Sequence, residues 1–435
     1  MDTYTKWEAY VNLIKQEVVP ALGCTDPVAI ALAAAKAREV LQRAPERIAV
    51  VLSRNMLKNA MGVGIPGTGT SGVDLAAALG AFGGKASANL EVLQDITPED
   101  VEQARQFIHT QQVNIALKDT SDVLYIEVIL SVGQETARVV IQGDYTRVIL
   151  IERNGHPLFK LDQEALHGEQ ESQAAFKTLT LEDIYHFAIH APFEELAFIL
   201  ETARMNTTLA AEGLKNDYGL CVGKSFKTHV QQGILSQDLT TLAIMETAAA
   251  VDARMAGCAL PAMSNSGSGN QGITATLPVV VAARELQCSE EMLARALMLS
   301  HFITIHIRQH FDRLSAMCGT VAAGTGAACG LTYLLGGGYK EVSATIANMV
   351  GNLSGMICDG AKYGCALKAS SAVQAGIQAA LLAMQGIRVS QNEGIVEHDV
   401  EKTIDNLGRL SSDGMKQTDF TILDMMTAKQ QFSER

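Results

Sequence analysis

The sequence has no apolar run of 18 residues; its longest alanine-rich stretches are each broken by Arg, Glu or Asp. No membrane-spanning helix is therefore expected. It also has no basic surplus. Against 47 acidic residues stand 34 Lys and Arg, giving a formal charge of -13 and a pI near 5.3. Nucleic-acid backbones and anionic membranes both select for basic patches, so neither is an expected partner. The opening MDTYTKWEAY shows neither a basic n-region nor an apolar h-region, and no signal peptide is expected. A soluble, cytoplasmic chain follows, in which eight cysteines read as thiols or metal ligands and not as disulfides. The closely spaced cysteine pairs of zinc knuckles and small ferredoxins are missing too; six residues separate Cys358 from Cys365.

At 435 residues the chain exceeds one typical core, and two domains are expected. Residues 4–43 carry helical periodicity broken at Pro20–Pro27, and RIAVVLS at 47–53 reads as a short strand. From residue 86 the character changes. Thr97-Pro98-Glu99-Asp100 opens a helix, and VNIALK, VLYIEVIL, ARVVIQG and RVILIE are β-rich, with hairpin signals at Val132-Gly133 and Asn154-Gly155. Ionisable groups in this stretch, His156 included, read as a solvated face, and HGEQESQ at 167–173 as an exit linker. Beyond Thr180 nearly every segment has a 3.6-residue period, with caps at Thr180 and Ser289. The expected fold is mainly α: a helical catalytic domain (1–85 and 175–435) with a small inserted α+β unit (86–170).

Several stretches can carry chemistry. Cys24 lies before a helix start marked by Thr25, Asp26 and Pro27. There the helix dipole favours thiolate, although a buried cap-region cysteine fits the same pattern. Gly62-x-Gly64-x-x-Gly67 formally matches a dinucleotide fingerprint, but Pro66 interrupts it and no strand precedes it. Its glycines suit either a carboxylate cradle or a tight turn. SNSGSGNQG at 264–272 sets Asn265, Ser266, Ser268 and Asn270 beside a probable helix start, a loop suited to a carboxylate or a developing enolate-like charge. A similar loop occurs in pyridoxal-phosphate lyases, for which Lys227 in GKSFKTH would be the Schiff-base lysine; the helical periodicity around it argues against that α/β fold. His306 and His310 share a helix face with metal-ligand spacing, yet no Glu follows His306, and with His301 they read as core or helix-surface histidines.

The most distinctive stretch runs from Arg313 to Lys368. The contexts MCGT, GMICDGAK and GCALK hold Cys318, Cys358 and Cys365. Together with ALGCTDPVAIALA at 21–33, KNAMGVGIPGTG at 58–69 and SGSGNQG at 266–272, they make nearly the whole chain resemble the L-cysteine desulfidase family. That family belongs to the wider group containing the alpha chain of iron-sulfur L-serine dehydratases. The resemblance implies a [4Fe-4S] cluster on Cys318, Cys358 and Cys365, with one iron free of cysteine, and β-elimination of L-cysteine to pyruvate, ammonia and hydrogen sulfide. Serine dehydration by the same route is the alternative, and a cluster-bearing amino-acid sensor the non-enzymatic one. Cys24 becomes the candidate base, or a fourth ligand that substrate displaces. Lys58, Asn59, Gly67, Asn265, Ser266, Ser268 and Asn270 become candidate substrate-binding residues, and Arg313, Lys362 and Lys368 candidates for pairing a carboxylate or ordering the cluster loops. Cys221, Cys258, Cys288 and Cys329 fall outside these motifs and read as structural. A homodimer is expected.

Overall fold

The computed structural model describes residues 3–110, 112–161, 179–312 and 314–433. The proposed exit linker at 167–173 and Arg313 lie outside these residues. Among the described residues the chain is mainly helical, with one six-stranded sheet. No helix there is long and apolar enough to cross a membrane.

The chain opens with α1 (Thr3–Glu17), then β1 (Pro20–Ala21) and α2 (Thr25–Leu41). Helix α2 is buried nearly all round, as its Ala-rich sequence allows. It packs on α4 (Val73–Phe82). Gly80 makes that approach possible, since a Cβ there would lie 2.1 Å from the Ala31 carbonyl oxygen. Between them come β2 (Arg47–Leu52) and α3 (Arg54–Ala60). After α5 (Pro98–His109) follow β3 (Val113–Leu117), β4 (Tyr125–Val132), β5 (Glu135–Gln142), β6 (Val148–Arg153) and β7 (His156–Lys160).

The sheet order is β3-β2-β4-β5-β6-β7. Strand β2 runs parallel to β3, with Ile48 opposite Val113, and antiparallel to β4, with Ile48 opposite Leu130. The α+β unit therefore starts well before residue 86. Ile48, Val50 and Leu52 point into a core shared with α2, α4, β4 and β5, and a strand buried on that face cannot belong to a separate helical body.

The remaining helices are α6 (Leu181–His190), α7 (Phe193–Leu196), α8 (Leu200–Lys215), α9 (Val222–Gln231), α10 (Leu239–Met255), α11 (Gly269–Glu285), α12 (Glu290–Gln309), α13 (Thr320–Leu334), α14 (Tyr339–Leu353), α15 (Cys365–Met384), α16 (Val400–Arg409) and α17 (Lys416–Ser433). Most of them, with α1, enclose a second core rich in Ala, Leu and Ile. A two-stranded pairing joins the two regions: β1 runs antiparallel to β8 (Ala262–Met263), with Pro20 opposite Met263. Ser264 and Ser266 extend it by donating backbone N–H groups to the carbonyls of Val19 and Glu17, at 2.8 and 3.0 Å. This pairing sets the start of α2 beside the start of α11.

Candidate functional site

Four helix starts meet at one pocket. Its wall includes Cys24, Thr25 and Asp26 at the start of α2; Ser266 to Ser268, Asn270 and Gln271 at α11; Cys318, Gly319 and Thr320 at α13; and Cys358, Gly360, Ala361 and Cys365 at α15. None of the four carries a side-chain cap. The positive ends of their dipoles face whatever fills the pocket and favour anions, although at α13 and α15 the Val321, Cys365 and Ala366 N–H groups already donate to the Cys318, Lys362 and Tyr363 carbonyls. The cavity measures about 100 Å³.

Two loops carry the three motif cysteines and are stitched together. Met317 and Ile357 form an antiparallel bridge. The Cys318 N–H donates to the Met356 carbonyl at 2.9 Å, and the Cys358 N–H to the Ala316 carbonyl at 2.6 Å. The Cys365 Sγ accepts the Lys362 N–H at 3.4 Å, while the Cys318 Sγ lies 3.0 Å from the Thr320 Oγ1. Burial pushes the Cys318 thiol up to about 12, helped by the neighbouring Cys358 and Cys365. Burial also raises Cys365. Three thiolates so placed need a compensating positive partner.

Among the described residues no three His, Cys, Asp or Glu side chains gather closely enough to hold a single metal ion. The three thiols share one pocket wall, and thiolates are the donors that hold iron-sulfur clusters. The donors are all soft. Of the buried atoms without partners among the described residues, some lie elsewhere, while the Asn59 Oδ1, Arg254 Nε and Gln271 Oε1 belong to this pocket wall. The set fits an iron-sulfur cluster with a small polar ligand beside it.

Cys24 caps α2 with extended backbone, φ -85° and ψ 133°. Its Sγ donates to the Asp26 Oδ2 at 3.2 Å. The helix start does not lower this thiol. Burial raises it well above the ordinary range, the Asp26 charge adds to that, and Arg254 only partly opposes it. Asp26 also accepts from the Tyr145 hydroxyl at 3.1 Å and from the Asn59 Nδ2 at 3.3 Å.

Asn59, Ser266, Ser268 and Asn270 line the pocket with Cys24; Lys58, Gly67 and Asn265 do not. Asn265 stands behind the wall, donating to the His301 Nδ1 at 3.0 Å and to the His301 carbonyl at 3.1 Å. Gly67, at φ +73°, donates its N–H to the Gly257 carbonyl at 3.3 Å, so its stretch works as a turn. Lys58 is almost fully buried, with its Nζ 2.5 Å from the Asp419 Oδ1 and 3.1 Å from the Cys358 carbonyl. Lys362 donates to the carbonyls of Lys58 and Ala361, and Lys368 pairs with Asp359. His301 is a core residue, and His306 and His310 bind Glu401 and Asp405.

Several wall residues escape notice in the sequence, Asp26, Tyr145, Arg254 and Gln271 among them. Asp26 shows in sequence only as a cap, and Tyr145 sits in the α+β unit, where no site was expected. Arg254 and Gln271 belong to stretches whose periodicity looks like any buried helix.

Residues 87–424 match the family described as serine dehydratase alpha chain. The chain belongs to that family. It is also similar over its full length to UPF0597 proteins: 50% identical to that of Oleidesulfovibrio alaskensis, covering 98% of this chain and 99% of the relative. The identity is 48% to that of Parabacteroides distasonis, over 99% and 100%, and 48% to that of Aeromonas hydrophila, over 98% and 97%. Within the serine dehydratase alpha chain match fall all three motif cysteines, Tyr145, Arg254 and the Ser266–Asn270 loop; Cys24, Asp26 and Asn59 precede it.

Proposed function

We propose that this chain is an L-cysteine desulfidase, a carbon-sulfur lyase that converts L-cysteine to pyruvate, ammonia and hydrogen sulfide. The observation that carries this reading is the shared pocket of Cys318, Cys358 and Cys365 with Cys24, Asn59 and the Ser266–Asn270 loop. Family membership supports a lyase. Cys318, Cys358 and Cys365 would hold a [4Fe-4S] cluster. When bound, such a cluster supplies a Lewis acid at the iron lacking cysteine, and soft iron suits a thiolate leaving group better than a hydroxyl.

The chain's own residues hold the amino acid and move its protons. Ser266, Ser268, Asn59 and Asn270 present hydroxyls and amides to it, and the four helix starts favour its carboxylate. Cys24 is the candidate base. In its thiolate form the Sγ takes the proton from the substrate Cα, and that form is reached only when positive charge entering the pocket offsets the burial and the Asp26 charge that raise the thiol. The C–H electron pair becomes the Cα=Cβ bond while the Cβ–S pair leaves with sulfur as hydrosulfide. The aminoacrylate then tautomerises to the imine and takes up water, releasing pyruvate and ammonium.

The family match favours one second reading, the same elimination from L-serine with hydroxide leaving. Anaerobically reconstituted protein should release sulfide and pyruvate in equal amounts from L-cysteine. Pyruvate from L-serine with no sulfide from L-cysteine would replace the first reading with the second, and no turnover of either would favour the sensor. Lys227 lies exposed on α9, away from the pocket. Borohydride or hydroxylamine should accordingly leave turnover intact.

A further inference from the structure

We infer that Arg254 is the residue that receives the substrate's carboxylate, an assignment that rests on the amino-acid reading of the pocket and adds the group that selects for an α-carboxylate. Arg254 lies in the last turn of α10 and is only 2% exposed. A buried guanidinium is normally matched by a carboxylate. Arg254 has none within ion-pair distance among the described residues. Among them its guanidinium makes one hydrogen bond, from Nη1 to the neutral Asn270 Oδ1 at 2.9 Å, and its Nε has no partner.

The surroundings argue that the missing anion comes from outside the chain. Arg254 lines the same pocket as the thiols and the start of α11. That helix start carries no side-chain cap, so free N–H groups stand beside the guanidinium. Gly269 keeps the two close: a Cβ at that position would fall 2.2 Å from the Arg254 Nε. The pocket's acid, Asp26, is already engaged by Cys24, Asn59 and Tyr145. The pocket's other arginine, Arg308, is turned to its own loop, donating to the Asp312 carbonyl at 3.3 Å and lying over the Phe311 ring. A planar guanidinium with an unused N–H, next to an uncapped helix start, presents the fork that a small carboxylate fits.

The test uses ligands that cannot turn over, with anaerobic holoprotein and calorimetry or competition. L-Alanine keeps the amino-acid frame without a leaving group; L-alaninamide removes only the negative charge; propionate keeps only the carboxylate. Wild-type protein should bind L-alanine about 10- to 100-fold more tightly than L-alaninamide, the range for a hydrogen bond to a charged group. Arg254→Gln should lose that preference, and in turnover should raise KM far more than it lowers kcat. Arg254→Lys should fall between, because it keeps the charge without the fork. Equal wild-type affinity for L-alanine and L-alaninamide overturns the assignment, and that comparison needs no variant to fold. An Arg254→Gln protein that folds and binds L-alanine as wild type does overturns it as well. Propionate bound in an Arg254-dependent way with no binding of L-alanine keeps the carboxylate role of Arg254 and sinks the amino-acid reading of the pocket.

Discussion

The Lys58 Nζ lies 2.5 Å from the Asp419 Oδ1, with both side chains buried. Helix α17 is thereby fastened to the loop carrying Cys358, whose carbonyl accepts from the same ammonium at 3.1 Å. The Asn55 Nδ2 completes the arrangement by donating to the other oxygen of Asp419 at 2.9 Å.

Removing one half of this pair strands the other. Asp419→Ala should destabilise the protein by about 3–5 kcal/mol, the usual range for an orphaned buried charge. Lys58→Met should be milder than Lys58→Ala, because it refills the space. Denaturant unfolding of the three variants checks the order. Equal stability in Asp419→Ala and wild type would show that the pair is slack.

Cys318→Ser, Cys358→Ser and Cys365→Ser should each lose most of the iron, since a hydroxyl replaces a thiolate poorly. Iron and acid-labile sulfide analysis of anaerobically prepared protein reads this directly. Retention of the cluster in all three variants would refute the ligand assignment.

The two roles open to Cys24 separate in Cys24→Ala. As base, its loss should keep the cluster and lower turnover on the order of 10²- to 10⁴-fold, with exchange of the substrate Cα proton abolished. As displaceable ligand, its loss should leave proton exchange and make the cluster more sensitive to oxygen. Full activity with a stable cluster would exclude both.

His301 supplies a pH test that does not involve the thiols. Burial lowers its folded-state value to about 3, against about 6.5 for an exposed histidine. The unfolded chain binds the extra proton between these values, so stability is fully present above pH 6.5. It should fall as pH drops toward 3, by up to about 1.4 kcal/mol per unit. His301→Gln should flatten that part of the stability profile. An unchanged slope would mean that another group sets it.

The sequence made the helical body legible because its periods are local: Thr180 and Ser289 cap α6 and α12 as read, accepting the N–H groups of Asp183 and Met292. The placement of β2 was not legible. Its partners, β3 and β4, lie more than 60 residues downstream, and nothing within RIAVVL says which strands it joins. In the site, residues within glycine-rich motifs could be found from the chain alone. Arg254 could not, since ARMAG looks like an ordinary helix end and its meaning lies in the missing counter-charge. Lys58 shows the reverse failure: a motif lysine suggested a ligand contact, whereas burial gave it a carboxylate from the last helix.

The pairing of β1 with β8 bears on how the protein comes into being during synthesis. Cys24 leaves the ribosome early, but the strand that places it pairs with residues 262 and 263, and the last motif thiol is Cys365. Until nearly 370 residues have been made, a nascent chain can own no more than part of the pocket wall. If the chain holds the proposed cluster, its loading would be confined to an almost finished polypeptide, and prematurely terminated products would lack the complete pocket.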